Sequence, residues 1–292
     1  MSHPSSTILA NWNGQQMPLE DVRVSVLDRA FMFGDAVYEV IRIYGGRLWN
    51  FDEHIGRLAA SLAELKIDFD VKPIRAQLER LIQVQAIEEG LAYLQVTRGA
   101  AARHHYYPLI TTPNCLLYVE HFDDPYAEAR QTGAKAITFT DIRWGRNDIK
   151  VTSLVANCMA ANQARQAGCI EALLLRDGFV TEGSHTSVFA VRSGKVIVSP
   201  SSKAVLPGIT KKQVIELCQG ANIGMQEGKL KASELSDIEE LFITATPEEI
   251  IAIVEVDGVK IGNGHPGPVT TRLQAIFRHA VNSWLDHNKS GA

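Results

Sequence analysis

Short runs of apolar or alternating residues recur along the chain, divided by two-residue turn signals. Those signals are Asn13-Gly14, Gly45-Gly46, Asp177-Gly178, Ser193-Gly194 and Asp257-Gly258. Residues of this kind accept the positive φ that a tight hairpin demands, so the strands flanking them are expected to be antiparallel. Helical stretches interrupt the strands. In FDEHIGRLAASLAEL, Ile55, Leu58, Ala59, Leu62 and Leu65 fall on one helical stripe. In KPIRAQLERLIQVQ, Pro73 suits a first turn, and Ile74, Leu78, Leu81 and Ile82 follow the same period. Further helices are expected over 153–167, 210–220 and 270–286. Strands and helices mix without strict βαβ alternation, which predicts an α+β fold.

The polar stretch EHFDDPYAEARQTG, residues 120–133, contains Pro125 and separates the run ending LLYV from the alternating AITFT. This predicts a domain over 1–122, a linker over 123–133 and a second domain over 134–292. No internal repeat or low-complexity segment is visible.

Composition narrows the partners. The chain has 292 residues, 46% hydrophobic and 21% charged, with a net charge of -4. There is no basic field for a nucleic-acid backbone. Cys115, Cys158, Cys169 and Cys218 lack CxxC spacing and do not form a disulfide framework. The start, MSHPSSTILANWNG, has neither the basic end nor the apolar core of a secretory signal, and no apolar run reaches membrane-spanning length. The expectation is a soluble, cytoplasmic protein.

Some motifs fail on context. GNGHPG at 262–267 matches GxGxxG by letter, but it follows a hairpin and holds Pro266, so it is no dinucleotide fingerprint. His104-His105 lack a third spaced ligand, so no metal site is expected.

Lys150 invites a chemical question. It lies between the charged turn RND and the small-residue helix beginning SLVAN. Its plain reading is a solvated lysine at a loop–helix junction. Its chemical reading is an amine that forms a Schiff base with a carbonyl and then shuttles a proton. A pyridoxal phosphate partner would also require a carboxylate for its ring nitrogen and a phosphate cradle. Glu182, before Gly183, is a candidate for the first, though an acid at a strand end is ordinarily just exposed. LPGIT at 206–210 is a candidate for the second: Gly208 allows close backbone approach, and a helix start offers unpaired amides. An ordinary glycine turn with Thr210 near a helix cap accounts for LPGIT equally well. TATPEE at 244–249 reads locally as a capping box, with Thr246 as cap, Pro247 first and Glu249 third.

Taken in order, DRAFMFGDAVYEV, NFDEHIGRL, QVTRG, DIRWGRNDIK, GCIEALL, VTEGSHTSVF, LPGIT and ELFITAT resemble one family almost end to end. The chain resembles the class IV, or fold-type IV, pyridoxal-phosphate aminotransferases, and among them the D-amino-acid transaminases. The resemblance implies a two-domain α+β enzyme with a smaller N-terminal α/β domain and a larger C-terminal domain with a barrel-like β core. By resemblance Lys150 is the Schiff-base lysine and proton carrier, and Glu182 holds the pyridine nitrogen protonated. Arg57 meets the phosphate by resemblance alone, since periodicity places it off the apolar stripe and facing solvent. Gly208, Ile209, Thr210 and Thr246 match the phosphate-binding positions, and Leu206 matches the residue packed against the ring. Tyr38, Arg103 and His105 match a substrate pocket in which a guanidinium fork, an imidazole and a phenol receive the α-carboxylate. The loop carrying Arg103 and His105 comes from the neighbouring subunit in that family, which implies a homodimer with shared sites.

The implied reaction is ping-pong transfer of an amino group from a D-amino acid such as D-alanine to a 2-oxo acid such as 2-oxoglutarate. Branched-chain L-amino-acid aminotransferases, R-selective amine transaminases and aminodeoxychorismate lyase share the fold and remain alternatives. The sequence departs from the family where a run of serines often follows the glutamate, reading Ser184-His185-Thr186-Ser187, and Pro207 stiffens the phosphate loop.

Overall fold

A computed structural model describes residues 7–289; the leading MSHPSS and the last residues of the C-terminal domain expected above lie outside the described residues. The chain clusters into two compact units, one running to Asp123 and including Ile149–Ser153, the other comprising Asp124–Asp148 and the chain from Leu154 onward.

The first unit contains β1 (Leu9–Trp12), β2 (Gln15–Pro18), α1 (Arg29–Phe33), β3 (Ala36–Tyr44), β4 (Arg47–Leu48), α2 (Phe51–Leu65), α3 (Ile74–Gln85), β5 (Gly90–Thr97) and β6 (Asn114–His121). Its six strands form one antiparallel sheet in the order β2-β1-β6-β5-β3-β4. Leu58 and Leu62 of α2, with Ile74, Leu78, Leu81 and Ile82 of α3, are buried with Val37, Ile41, Leu94, Val96 and Leu117 of the sheet. Each such side chain contributes roughly 1.5–3 kcal/mol of burial. The α3 stripe is as expected. In α2, Ala59 is exposed instead, because the buried face carries polar residues: Phe51, His54, Leu58, Ser61 and Leu62 are the inward set. Arg57 belongs to the same face, three residues after His54, and its side chain is only 9% exposed. Periodicity read from apolar letters alone therefore misplaces both residues.

The second unit contains α4 (Ala127–Thr132), β7 (Ala134–Thr140), α5 (Val155–Gln166), β8 (Glu171–Arg176), β9 (Phe179–Gly183), β10 (Ser187–Arg192), β11 (Lys195–Val198), α6 (Ile209–Gly220), β12 (Met225–Glu227), β13 (Leu230–Lys231), β14 (Glu240–Ala245), β15 (Glu249–Val256), β16 (Val259–Lys260) and α7 (Pro268–Lys289). Ten strands form one mixed sheet in the order β12-β11-β10-β14-β15-β7-β8-β9-β13, with β16 paired to β15. Two βαβ crossovers are embedded in it, β7-α5-β8 and β11-α6-β12, each joining a parallel pair.

The sheet order explains a barrel-like core. In a flat sheet the five steps from β10 through β14, β15, β7 and β8 to β9 would separate the end strands by about 24 Å. Yet Gly183 ends β9 and Ser187 begins β10, a span the chain bridges with roughly 14 Å of reach, and the Gly183 amide donates to the Thr186 carbonyl at 2.8 Å. The sheet must curl until β9 and β10 meet. The buried Glu171 carboxylate holds the junction, accepting from the Ser184 amide at 2.9 Å, the Ser184 hydroxyl at 2.5 Å and the Thr186 hydroxyl at 2.7 Å. A Cβ on Gly183 would come within 2.1 Å of Thr186 Oγ1 and 2.5 Å of Glu171 Oε2, so only glycine fits.

All five expected turn pairs form hairpin turns, with both residues at positive φ in each. A further expectation is corrected. TATPEE caps no helix: Thr246, Pro247 and Glu248 form the turn between β14 and β15, Ala245 pairs with Glu249, and Glu249 takes φ 60°. No helix among the described residues is long and apolar enough to cross a membrane.

Candidate functional site

In the first unit the chemistry gathers around β3. Residues near Lys150 run beside that strand: Lys150 N donates to Ser61 Oγ at 3.2 Å, Tyr38 N donates to the Lys150 carbonyl at 3.1 Å, and Val151 bridges to Val37. The backbone of Lys150 is thus fixed between α2 and β3, and its side chain is half-buried. Its Nζ lies 4.1 Å from the centre of the Tyr38 ring, a cation–π contact. Tyr38 stacks on Tyr93 at 6.0 Å, and Tyr93 on Tyr118 at 5.0 Å, so the ring beneath the amine is itself braced.

Glu39 is wholly buried on the same strand. Arg57 grips it with both arms, Nε to Oε1 at 2.6 Å and Nη2 to Oε2 at 2.7 Å, and His54 Nδ1 lies 2.8 Å from Oε2. Burial pushes the Glu39 carboxyl up, but the Arg57 guanidinium and the bond to His54 outweigh it and hold the group down at about 2. Burial also pushes His54 below its usual value, against the pull of Glu39 and with the charges of Arg57 and Lys150 adding to the shift. Arg57 is therefore a buried, oriented cation rather than a solvent-facing one.

Arg103 and His105 are exposed in the loop after β5 and share a platform: the Phe33 ring lies 5.1 Å from Arg103 Cζ and 5.8 Å from the His105 ring. His104 stacks on Tyr106. Among the described residues no group of three or more His, Cys, Asp or Glu side chains is placed to hold a metal ion.

In the second unit Glu182, next to last in β9, is 6% exposed rather than in solvent. Arg143 Nη1 donates to its Oε1, and the Leu206 amide donates to its Oε2 at 2.9 Å. Asp141 anchors Arg143 through Nε and Nη2, both at 2.9 Å, and itself accepts from Thr181 Oγ1 at 3.1 Å and pairs with Arg176. Burial pushes the Glu182 carboxyl above its ordinary value in spite of Arg143 and the Leu206 amide. Asp141 is held below its own, burial being outweighed by the bonds from Arg143.

Past Leu206 the chain enters α6. Gly208 is its N-cap residue, at φ -63°, and no side chain caps the helix. Amides at such a helix start favour an anion. A Cβ on Gly208 would lie 2.7 Å from Ser187 Oγ, so the approach is close, as expected. Ser187 stands opposite Thr244 across β10 and β14. The buried Thr244 Oγ1 has no hydrogen-bond partner, an uncommon state for a polar atom at 2% exposure. Ile209 and Thr210 are buried in the first turn of α6, and Thr246 is half-buried in the β14–β15 turn. Hydroxyls, a close backbone approach at Gly208 and a helix start fit an anionic group such as a phosphate ester. The acids of TATPEE turn elsewhere: Glu248 Oε1 lies 3.2 Å from His185 Nε2, and Glu249 pairs with Arg278 at 2.9 Å. His185 Nδ1 is also 3.3 Å from Glu171 Oε2, so the imidazole that replaces a serine spans two buried carboxylates.

Sequence reasoning did not single out Glu39, His54, Asp141, Arg143, Ser187 or Thr244. A polar letter inside an apolar period, as at His54 and Ser61, is the one local signal that points to any of them.

A sequence model of the family "Amino-transferase class IV" matches residues 36–256. The D-alanine aminotransferase of Bacillus licheniformis is 39% identical over 274 residues, covering 93% of this chain and 96% of that protein. That of Staphylococcus haemolyticus is 33% identical with 93% and 97% covered. Among solved structures, the branched-chain amino acid aminotransferase of T.th. with pyridoxamine 5'-phosphate aligns at TM-score 0.87 and 27% identity, over 94% of both chains. By these matches and the fold that accompanies them, the chain belongs to the class IV aminotransferase family.

Proposed function

We propose that the protein is a pyridoxal-phosphate-dependent transaminase that moves an amino group between a D-amino acid and a 2-oxo acid. What carries the reading is the 39% match to the Bacillus licheniformis D-alanine aminotransferase over 93% of the chain, in a sequence that keeps Lys150, Glu182, Tyr38, Arg103 and His105. When bound, pyridoxal phosphate supplies a carbonyl that receives the amino group and a ring that accepts electrons.

The chain's own residues serve that chemistry in distinct ways. Lys150 would be the attachment point, its amine moving the proton between the substrate α-carbon and the cofactor's C4′. The Tyr38 ring, 4.1 Å from Nζ, limits where that amine goes. Glu182 would hold the ring nitrogen protonated, its two oxygens fixed by Arg143 and the Leu206 amide. Leu206 would pack against the ring. Gly208, the amides of Ile209 and Thr210, the Thr210 hydroxyl and Thr246 would hold the phosphate, and by the resemblance Arg57 would add positive charge to it. Arg103 and His105 receive the α-carboxylate. In domain terms the proposal takes 1–122 as the N-terminal α/β domain, 123–133 as the linker and 134–292 as the domain that carries most of the cofactor-binding residues.

The proposal includes a homodimer whose Arg103 loops serve the neighbouring subunit. Val26, Phe31, Tyr106, Leu109 and Ile110, apolar and well exposed in a single chain, support it. It also includes a cytoplasmic location, consistent with four free cysteines.

The test is the visible spectrum of the holoprotein with D-alanine, L-leucine in a parallel cuvette. Conversion of the cofactor band by D-alanine alone is expected. Conversion by L-leucine alone would replace the D-specific reading with the branched-chain one that the T.th. structure represents.

A further inference from the structure

Arg103 and His105 sit in an exposed loop, and an exposed loop by itself fixes a guanidinium poorly. Tyr107 supplies what the loop lacks. Arg98 Cζ lies 3.7 Å from the centre of its ring and Arg29 Cζ 5.9 Å from it. Both guanidiniums are immobile: Arg29 is 2% and Arg98 4% exposed. Asp35 accepts from Arg29 Nε at 2.7 Å and from Arg98 Nε at 2.7 Å and Nη2 at 3.0 Å. Arg98 also donates to the carbonyls of Leu65 at 2.6 Å and Lys66 at 3.0 Å. Arg29 Nη1 donates to the carbonyl of His104 at 2.7 Å. One carboxylate thus serves two buried cations, and the electron-rich face of Tyr107 supplies further compensation. The loop is pinned at the His104 carbonyl and at the Tyr107 ring, on either side of His105. Between those pins and the Phe33 platform, Arg103 and His105 have little freedom.

We propose that Tyr107 is a positioning residue for substrate recognition: its ring, seated on Arg98 and Arg29, sets the direction in which Arg103 and His105 present their donors to an α-carboxylate. This rests on the reading of those two residues given above. The Tyr107 hydroxyl takes no part; the ring face alone acts.

The experiment measures KM and kcat for D-alanine with holoenzyme carrying Tyr107→Leu, Tyr107→Phe, Arg103→Leu, and the Arg103→Leu/Tyr107→Leu pair. Tyr107 is 46% exposed, so Tyr107→Leu raises KM about three- to fivefold with kcat within about twofold, as loss of a partly solvated cation–π contact implies. Tyr107→Phe restores the parent KM, and adding Tyr107→Leu to Arg103→Leu has a smaller effect on KM than in the parent, since only His105 then remains to be directed. If Arg103→Leu raises KM and Tyr107→Leu does not, this inference falls while the carboxylate reading stands. If Arg103→Leu leaves KM unchanged, both fall. An undiminished Tyr107→Leu effect in the Arg103→Leu background also overturns it, since the residue would then act by another route. Should Tyr107→Leu lose its melting transition, Tyr107→Met makes the same comparison with a side chain closer in volume.

Discussion

Arg57 and Glu39 form a bidentate buried pair, with donor–acceptor distances of 2.6 and 2.7 Å, eighteen residues apart in sequence and joined across α2 and β3. The pair turns a surface-looking arginine into a fixed charge. It also makes the first unit acid-sensitive, because the carboxylate that holds Arg57 must stay ionised.

The Glu39 carboxyl is held at about 2 against an ordinary 4.5, so its ionised form stabilises the native state. A depressed carboxylate contributes in full above its unfolded value and loses that contribution as pH falls through the folded value. Stability of on the order of 3 kcal/mol should therefore disappear between roughly pH 4.5 and 2. Glu39→Gln should flatten the denaturation midpoint against pH over that window and lower stability at neutral pH by about 3 kcal/mol. Urea unfolding at several pH values reads both; a slope unchanged by the substitution would show that other groups govern acid unfolding.

Arg143→Met should leave Glu182 buried with one donor fewer and raise its titration further. If Glu182 serves the ring nitrogen, kcat for transamination drops about 10- to 100-fold, matching the loss of a charged hydrogen bond. The pH dependence of the visible cofactor band should shift with it. Loss of kcat with an unmoved band would assign Arg143 to scaffolding alone.

Gly183→Ala places a methyl within 2.1 Å of Thr186 Oγ1 and 2.5 Å of Glu171 Oε2. The β9–β10 junction would have to shift, costing about 2–4 kcal/mol. Thermal unfolding measures this directly, and an unchanged midpoint would mean that the turn adapts.

Gly208→Ala should act differently. Its Cβ meets only the Ser187 hydroxyl at 2.7 Å and the Lys211 side chain at 3.2 Å, so the fold tolerates it while the anion-binding approach narrows. The expected result is an intact melting transition with pyridoxal phosphate affinity weakened about tenfold. Cofactor titration followed by fluorescence distinguishes this from a general loss of structure.

Local chemistry made part of this molecule legible. Asn13-Gly14 and Asp177-Gly178 announce hairpins because few residue pairs accept two positive φ angles in succession. Thr246-Pro247-Glu248-Glu249 misled because the same letters that start a helix also close a hairpin once strand pairing at Ala245 and Glu249 takes precedence. Arg57 misled for a related reason: its partner lies on another element, and periodicity counts apolar neighbours only. Arg143 and Glu182 are thirty-nine residues apart, and nothing near either one signals the other. Residues whose role is set by their own backbone were readable, whereas those set by a distant partner needed the family resemblance or the fold.

The position of β15 in the second sheet has a consequence for biogenesis. It lies between β14 and β7 and pairs Ile253 with Ala134, so the two parts of the sheet are joined by one of its last strands to leave the ribosome. Until Glu249–Val256 emerges, β7 keeps an open edge and the curl that brings β9 to β10 lacks its central strand. Nascent chains of this protein must carry an unfinished, pairing-competent edge through more than a hundred residues of synthesis.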